Sequence, residues 1–565
     1  MSTFYKETVN FNDMNEVKAL YEELLNENIA SAAHLEDWLV KYSKVQEEIE
    51  EGLSGHYIDF QCFSESEKAK EQFEYDQQRI EPLRKNYTAK LDNKFLSSPF
   101  INELDKKEYG LLIKSKRNAQ ELFREENVQL EIEEDKLTTA YFEITGSLTA
   151  DWDGTEMSLS ELSPYLESED RHLRESAMKK MFTAFEEKSE DLQQIMSELI
   201  LLRNEKAKNA GLENYRDYMF KEYERFDYTP GDCYTLAQAV KKHVTPLKES
   251  IQKLHKKELQ VEEYMPWDRR GTPPDNKSLQ PFQSRNELVD KSAIIFNNLD
   301  KRFAELLDTM DKKGMLDLTA RKGKAPGGFC TYLPVSGLSF IFMNASQTHD
   351  DMITLLHEMG HCIHNDFTQH FKIAAYKNTP MESAELASMT MELLTMDQWD
   401  HFYPDKNALV QAKRDQLRGI VDFLPLGIII DQFQHWMYEN PTHSAAERLA
   451  KFAELQQSFD SSVVNWEGFE SWQERSWLRI LHIFEVPFYF IEYVIAQLGA
   501  LQIYKNYLKN PEKTLKNYTE ALKLGSSVPL SEVYKTAGIQ FDFSEEMIKD
   551  LMEFVQEELS KLERE

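Results

Sequence analysis

The chain contains few cysteines, four among 565 residues, at positions 62, 233, 330 and 362. Their spacing forms neither a Cys-x-x-Cys pair nor a disulfide framework, which excludes a small secreted fold held together by disulfides. Free thiols in a reducing compartment are expected instead.

Long apolar runs and flexible linkers are also missing. No run approaches the roughly 20 apolar residues that a membrane-spanning helix needs, and the first residues, Met-Ser-Thr-Phe-Tyr-Lys, lack the apolar core of a signal peptide. No Gly/Ser-rich or Pro-rich stretch divides the chain into separate domains. These absences predict a cytoplasmic protein that does not associate with a membrane.

Positive charge is in short supply. The sequence has 98 acidic residues against 66 Lys and Arg, a formal net charge of −32. The phosphates of a nucleic acid would be repelled over most of such a surface, so nucleic acid is excluded as a partner.

Strong helix formers dominate what is present. Helical periodicity is clearest over residues 170–208, 286–307 and 545–562, whereas strand-like runs are few and short. The sequence therefore predicts a mainly α protein with a small β element ahead of the helix that contains residues 357–361.

The most informative motif is His-Glu-Met-Gly-His at residues 357–361. Residues advance about 100° each around an α-helix, so His357 and His361 share a face and can bind one ion. Glu358 projects to the side, where it can take a proton from a water on that ion. The motif alone could still be two histidines on a buried helix, so a zinc site needs a third ligand.

Four downstream residues could supply that ligand: His364, Asp366, Glu382 and Glu385. His364 continues the same helix, because no Gly occurs between Gly360 and position 419 to break it. Ligands from one helix form a row, whereas a tetrahedral site needs a third direction. His364 is therefore expected either to contact a metal ligand or the substrate without binding the metal, or to be a packed core histidine.

A second helix is predicted to begin after Pro380 and to run from Met381 to Trp399. Glu385, Ser388 and Glu392 share one of its faces. Glu385 is thus the predicted third zinc ligand, and Glu392, two turns on, is placed to orient a ligating histidine.

These motifs resemble the thimet oligopeptidase and oligoendopeptidase F family of zinc metallopeptidases, most closely its bacterial Pz-peptidase-like members. The resemblance covers roughly residues 120–560. Besides the residues already named, it rests on Leu202–Lys208 with Gly211 and Tyr215, Gly327-Gly328, Phe340–Asn344, His482, Pro487–Tyr489 and Tyr493. One departure is Ala496, where the thimet branch has a further tyrosine.

The resemblance implies two helical lobes around a deep channel with zinc on its wall, here an N-terminal lobe at 1–190 and a catalytic domain at 191–565. It implies that Tyr489, Tyr493 and His482 stabilise the oxyanion or hold the peptide, although buried tyrosines are also common core residues.

Substrate binding is expected near Gly327, Gly328 and the run Phe340, Ile341 and Phe342. An extended run with an exposed backbone can pair with a substrate strand, and the glycines allow close approach of a backbone. The alternative is a hairpin that only lines the core beside the metal helix.

The expected function is therefore a zinc-dependent oligoendopeptidase with one Zn²⁺ per chain, acting on short unfolded peptides as a monomer or homodimer. Co²⁺ and Mn²⁺ also suit this ligand set. One rival is a carboxypeptidase that releases terminal dipeptides and clamps the free carboxylate with Arg321, Lys322 or Lys324. Another is a helical peptide-binding protein with a purely structural metal.

Overall fold

The structure is a computed structural model, and it describes residues 4–274, 276 and 278–564. Over these residues the α-helices are α1 Met14–Asn26, α2 Ala32–Cys62, α3 Glu67–Tyr75, α4 Glu81–Leu96, α5 Lys106–Leu122, α6 Glu125–Gly146, α7 Leu159–Leu162, α8 Arg171–Glu187, α9 Ser189–Asn209, α10 Tyr215–Glu222, α11 Pro230–Glu258, α12 Arg285–Leu299, α13 Lys301–Lys312, α14 His349–Thr368, α15 Met381–Thr395, α16 Lys406–Glu439, α17 Ala445–Phe459, α18 Glu470–Arg475, α19 Leu481–Glu485, α20 Phe490–Tyr507, α21 Pro511–Leu522, α22 Leu530–Thr536 and α23 Glu545–Leu562.

Strands are short and few by comparison. They are β1 Thr149–Trp152, β2 Thr155–Ser158, β3 Leu316–Thr319, β4 Phe329–Leu333 and β5 Leu338–Ala345. The prediction of a mainly α protein with a small β element ahead of the metal helix is confirmed.

Two large hydrophobic cores hold most of these helices, and two small clusters lie against α8. The smaller of the two large cores joins the N-terminal helices α1, α2, α4 and α5, and it also takes in Ile373 and Tyr376 from the connection after α14. The larger core runs from the end of α2 to α23 and contains α14, α15, α16 and α20. The predicted boundary at residue 190 falls in the first turn of α9, and the division into two domains stays a prediction.

The three-stranded sheet beside α14 has the order β3-β5-β4, with β3 parallel and β4 antiparallel to β5. Ile341 and Phe342 pair with β3 on one side and with β4 on the other, and Phe340 pairs with Thr331. The prediction that Phe340, Ile341 and Phe342 offer a free backbone edge is therefore wrong. Their side chains are buried as well, and among the described residues β3 and β4 form the edges of this sheet.

A buried ion cluster ties α6 to α9 inside the larger core. Glu134 accepts hydrogen bonds from Arg203 at 2.6 Å and from Lys206 at 2.8 Å. Arg203 also donates to the Tyr438 hydroxyl and to the carbonyls of Ile483 and Phe484. The motif Leu202–Lys208 thus fixes the chain just after His482.

We expect Glu134→Ala to lower the free energy of unfolding by about 3–5 kcal/mol, because it leaves two cations buried without their counter-ion. Urea unfolding followed by circular dichroism measures the change, and Glu133→Ala, on an exposed part of the same helix, is the matched control. Equal midpoints for the two variants would contradict the expectation.

The pH dependence of this cluster has a defined sign. Burial alone would raise the pKa of Glu134, but Arg203 and Lys206 lower it from 4.5 to about 2. A carboxyl with a depressed folded-state pKa stabilises the fold fully above pH 4.5, and the contribution is lost as the pH falls toward 2.

Within the described residues, no helix has the length and apolar character that crossing a bilayer requires.

Candidate metal centre

The helix α14 carries the His-Glu-Met-Gly-His motif and begins at a capping box. The Thr348 side chain accepts from the Asp351 backbone, and the Asp351 side chain accepts from the Thr348 backbone. One face of the helix, with Met352, Leu355 and Leu356, is buried in the larger core. The capped start and the buried face together hold the two motif histidines at a fixed depth.

The second helix, α15, crosses α14 in backbone-to-backbone contact at Gly360. A Cβ atom built on Gly360 would lie 2.4 Å from Ser388 Cα and 2.9 Å from the Ala387 carbonyl oxygen. No real side chain tolerates such distances to backbone atoms. The glycine inside the motif is therefore what lets α15 bring its carboxylate to the two histidines.

The crossing brings together His357, His361 and Glu385, whose potential ligand atoms all lie within 4.8 Å of one another. Glu385 Oε2 lies 3.4 Å from His357 Nε2 and 3.9 Å from His361 Nε2. Two imidazole nitrogens and one carboxylate oxygen from two helices are a three-ligand set that suits Zn²⁺ and leaves a coordination position open. The residues present thus fit the metal.

The other three candidates lie outside this ligand group. Asp366 accepts from Arg302 at 2.7 Å, and Glu382 accepts from the Tyr228 hydroxyl at 2.6 Å. His364 is buried, and its Nε2 has no hydrogen-bond partner among the described residues. His364 lies outside the ligand group, and its predicted supporting role stays a prediction.

A chain of hydrogen bonds fixes the His357 ring. His357 Nδ1 donates to Glu392 Oε1 at 2.7 Å, and Gln416 donates to the other oxygen of Glu392 at 2.8 Å. This leaves Nε2 of His357 facing Glu385. A carboxylate behind a histidine is how proteins commonly orient a metal ligand, so Glu392 lies where the sequence placed it.

The electrostatics of the ligand group favour a cation. Burial lowers the pKa of His361 to about 4, so this imidazole is neutral. Burial also disfavours a charged His357, but hydrogen bonds with Glu385 and Glu392 raise the pKa of His357 well above its usual value. Burial opposes ionisation of Glu385, yet His357 and His361 lower its pKa to about 2. The carboxylates of Glu385 and Glu392 therefore stabilise a positive charge within the ligand group.

Glu358 has different electrostatics from Glu385. Burial raises the pKa of Glu358 to about 7; the charge of His357 opposes this rise, and Glu385 and Glu392 add to it. A carboxyl with a pKa near neutrality can take a proton and return it at physiological pH.

The residues matched at the C-terminal side also reach the site. The Tyr489 hydroxyl donates to Glu385 Oε1 at 2.7 Å. Burial and the nearby Glu385 carboxylate raise the pKa of Tyr489, so this hydroxyl stays protonated. His482 Nε2 lies 3.3 Å from the Tyr493 hydroxyl. Tyr489 is therefore placed to orient the third predicted ligand, and the Tyr493 hydroxyl contacts both His482 and Tyr489.

We expect Tyr489→Phe to weaken Zn²⁺ binding by about 10–100-fold, because a hydrogen bond that orients a ligand is lost. Competition with a chromophoric chelator measures the affinity. Tyr493→Phe is the matched control, since its hydroxyl bonds His482 rather than a ligand. An unchanged affinity in Tyr489→Phe would contradict an orienting role.

Sequence reasoning missed the side chains that hold Tyr489 in place. Phe488 has a positive φ of 67°, a conformation that is costly for a bulky residue. Its N–H donates to Gln434 at 2.7 Å, and its carbonyl accepts from Arg225 at 2.5 Å. The same Arg225 nitrogen also donates to Glu492 at 2.8 Å. No local sequence signal marks Gln434 or Arg225, which are far from Phe488 in the chain.

The predicted glycine pair lies at the start of β4, against the metal helix. A Cβ on Gly328 would contact Thr354 of α14 at 3.6 Å, and Gly327 has a φ of +98° with open space around it. Cys330 in β4 has its sulfur 3.5 Å from that of Cys362. Cys362 is thus a packed free thiol. Substrate binding at the two glycines stays a prediction.

A buried helix with His-Glu-x-x-His, crossed by a second helix that supplies a glutamate, is the arrangement of HExxH metallopeptidases. Residues 164–553 match the description "Peptidase family M3", and residues 4–123 match "Peptidase M3 N-terminal domain". The chain belongs to peptidase family M3. This confirms the resemblance drawn from the motifs.

Individual relatives agree with this assignment. The chain is 26% identical over 417 residues to the oligoendopeptidase F homolog of Lactococcus lactis subsp. lactis, covering 71% of this chain and 65% of that protein. It is 23% identical over 431 residues to oligopeptidase PepF of Bacillus subtilis, covering 74% and 62%. Each match thus spans less than two thirds of the relative.

A solved structure of Pz peptidase A with an inhibitor has a similar fold. Its TM-score is 0.91 at 25% identity, and the likeness covers 99% of this chain and 98% of that one.

Proposed function

We propose that the protein is a zinc-dependent oligoendopeptidase that hydrolyses internal bonds of short, unfolded peptides. The observation that carries the proposal is Glu358, a buried carboxyl with a pKa raised to about 7 that lies beside the ligand group without belonging to it. A metal held only for structure would need no such neighbour.

The roles of the residues follow from their positions. His357, His361 and Glu385 would hold Zn²⁺, which when bound polarises a water molecule and the carbonyl of a peptide bond. Glu358 takes a proton from the attacking water and gives it to the leaving amine nitrogen. His482 and Tyr493 can donate to the oxygen that becomes negative during the attack, a contribution of roughly 3 kcal/mol for one good donor. Tyr489 keeps Glu385 in place.

The edge strand β4 is the best candidate to align the substrate. β4 begins beside Thr354 on the metal helix and pairs only with β5 among the described strands. A peptide added to its outer edge would be held by main-chain hydrogen bonds, which suits a peptidase with broad side-chain tolerance.

The contacts of the cationic residues near the glycine loop disfavour the carboxypeptidase alternative. Arg321 is paired with Asp317 and the Cys62 carbonyl. The side chain of Lys324 is fully buried and donates to the Asp317 carboxylate and to three backbone carbonyls. Both are occupied in structural bonds, which leaves only Lys322, a highly exposed side chain, for a carboxylate clamp.

A peptide with both termini blocked tests the proposal. An endopeptidase cleaves it, whereas an enzyme that clamps a free carboxylate does not. Mass spectrometry of the fragments, with and without a chelator, is the measurement. We expect internal cleavage that the chelator abolishes and that added Zn²⁺ restores. Cleavage confined to unblocked C-termini, or cleavage that survives the chelator, would overturn the proposal.

A further inference from the structure

A second group of potential metal ligands lies in the larger core, apart from the site already described. It consists of Cys233 in the first turn of α11 and of Asp431 and His435, one turn apart on α16. Their potential ligand atoms all lie within 4.8 Å of one another. The three residues are 1%, 0% and 1% exposed.

The polar atoms of this group lack the partners that buried polar atoms normally have. Neither ring nitrogen of His435 has a hydrogen-bond partner among the described residues, and neither has Asp431 Oδ1. Asp431 Oδ2 accepts one bond, from Gln432 at 3.1 Å. Unsatisfied buried groups each cost about 1–3 kcal/mol, and such groups in a native protein call for an explanation, an unseen ion being one.

The spacing of the ligand atoms suits an ion. His435 Nε2 lies 3.3 Å from Asp431 Oδ2, but the two atoms do not form a hydrogen bond. Two ligands bound to one tetrahedral Zn²⁺ at about 2.0–2.1 Å are separated by roughly 3.3–3.4 Å. The corresponding distance in the first site, from His357 Nε2 to Glu385 Oε2, is 3.4 Å.

We propose that Cys233, Asp431 and His435 bind a second divalent ion of the thiol-preferring class, with Zn²⁺ as the natural occupant. A thiolate and a carboxylate neutralise its two charges, which makes burial of the ion acceptable. The thiolate and imidazole ligands select against Mg²⁺ and Ca²⁺, which prefer oxygen.

The ion would link α11 to α16 behind the residues that present Tyr489. The His435 ring lies 5.4 Å from the ring of Phe488, and the neighbouring Gln434 holds the Phe488 N–H. The second ion would thus help to fix the position of Phe488 and Tyr489 without contacting substrate. Because its ligands are enclosed, it enters during folding and resists chelators that strip the first site.

Metal analysis of the full chain tests the proposal. Protein produced with Zn²⁺ is expected to contain two ions per chain, one for each ligand group. His361→Ala should retain one. Protein produced in medium containing Co²⁺ in place of Zn²⁺ should show a sulfur-to-cobalt charge-transfer band in the near ultraviolet, because only the second group contains a cysteine. The band should persist in His361→Ala.

Cysteine variants identify the source of that band. Cys233→Ala should lose the band and one ion, whereas Cys330→Ala, which removes the half-buried thiol next to Cys362, should keep both. A metal-free His361→Ala protein would overturn the proposal, as would a wild-type chain with one ion and no thiolate band. Neither result requires that the Cys233→Ala variant folds. A wild-type protein that binds one ion and still cleaves peptides would contradict this second site but not the proposed function.

Discussion

We expect Glu358→Gln to slow peptide hydrolysis by about 10²–10⁴-fold, the range that a general base contributes, without loss of bound Zn²⁺. The amide has nearly the shape of the carboxyl, and Glu358 is not among the ligand atoms that lie within 4.8 Å of one another. The glutamine amide, however, can no longer accept a proton from water. Substrate affinity should change little, so the loss should appear in kcat.

The measurement is the rate of cleavage of an internally quenched peptide at saturating Zn²⁺, with metal content determined on the same sample. Glu392→Gln is the contrasting variant, because Glu392 orients His357 rather than handling a proton. Excess Zn²⁺ should restore most of the activity of Glu392→Gln and none of that of Glu358→Gln. A Glu358→Gln protein with the wild-type rate would mean that the metal is structural.

Local patterns were sufficient to predict two helices closely, one of which carries Glu385. The terminal helix was predicted at residues 545–562 and is observed at Glu545–Leu562, because its apolar positions follow one helical period. The second helix was predicted from Met381, after Pro380, and α15 begins there. Its α-helical part ends at Thr395, and a 3₁₀ turn, Met396–His401, follows.

Glu385 could be singled out because ligand chemistry restricts the choice. A third ligand has to approach from a direction that α14 itself cannot supply, and only a separate helix offers this. Spacing along α15 then placed Glu385 and Glu392 on the same face. The structure brings both to His357, at 3.4 and 2.7 Å.

Strand order could not be read from the sequence. The run Phe340–Phe342 has the same extended, apolar pattern whether it lies at an edge or in the centre of a sheet. Its central position depends on β3 and β4, which pair with it from both sides, and pairing between strands is a tertiary property. The burial of Phe340–Phe342 follows from that order.

The contacts that hold Tyr489 in place could not be predicted from the sequence, for a different reason. A positive φ at Phe488 runs against the local preference of phenylalanine, so no propensity argument predicts it. It persists because Arg225, in the segment after α10, holds its carbonyl, and Gln434, in α16, holds its N–H. Local rules fail most often where distant residues impose a strained conformation for function.

We expect Gly360→Ala to lower the free energy of unfolding by about 3 kcal/mol, the upper part of the range for overpacking, and to abolish tight Zn²⁺ binding. The added methyl group would lie 2.4 Å from Ser388 Cα and 2.9 Å from the Ala387 carbonyl oxygen. Backbone atoms cannot rotate away as a side chain does, so α14 and α15 have to separate. Glu385 then moves away from His357 and His361.

Gly419→Ala is the matched control, because Gly419 is an exposed helical glycine with nothing within 4 Å of a built Cβ. Alanine there should stabilise the protein by about 0.5–1 kcal/mol, since glycine weakens a helix interior. Thermal unfolding and chelator competition on both variants give the comparison. Replacing glycine by alanine thus changes the free energy of unfolding in opposite directions at the two positions. The reason is that only Gly360 lies at the contact between α14 and α15 that assembles the metal site. A Gly360→Ala protein with the stability and zinc affinity of the wild type would show that α15 does not need this contact to deliver Glu385.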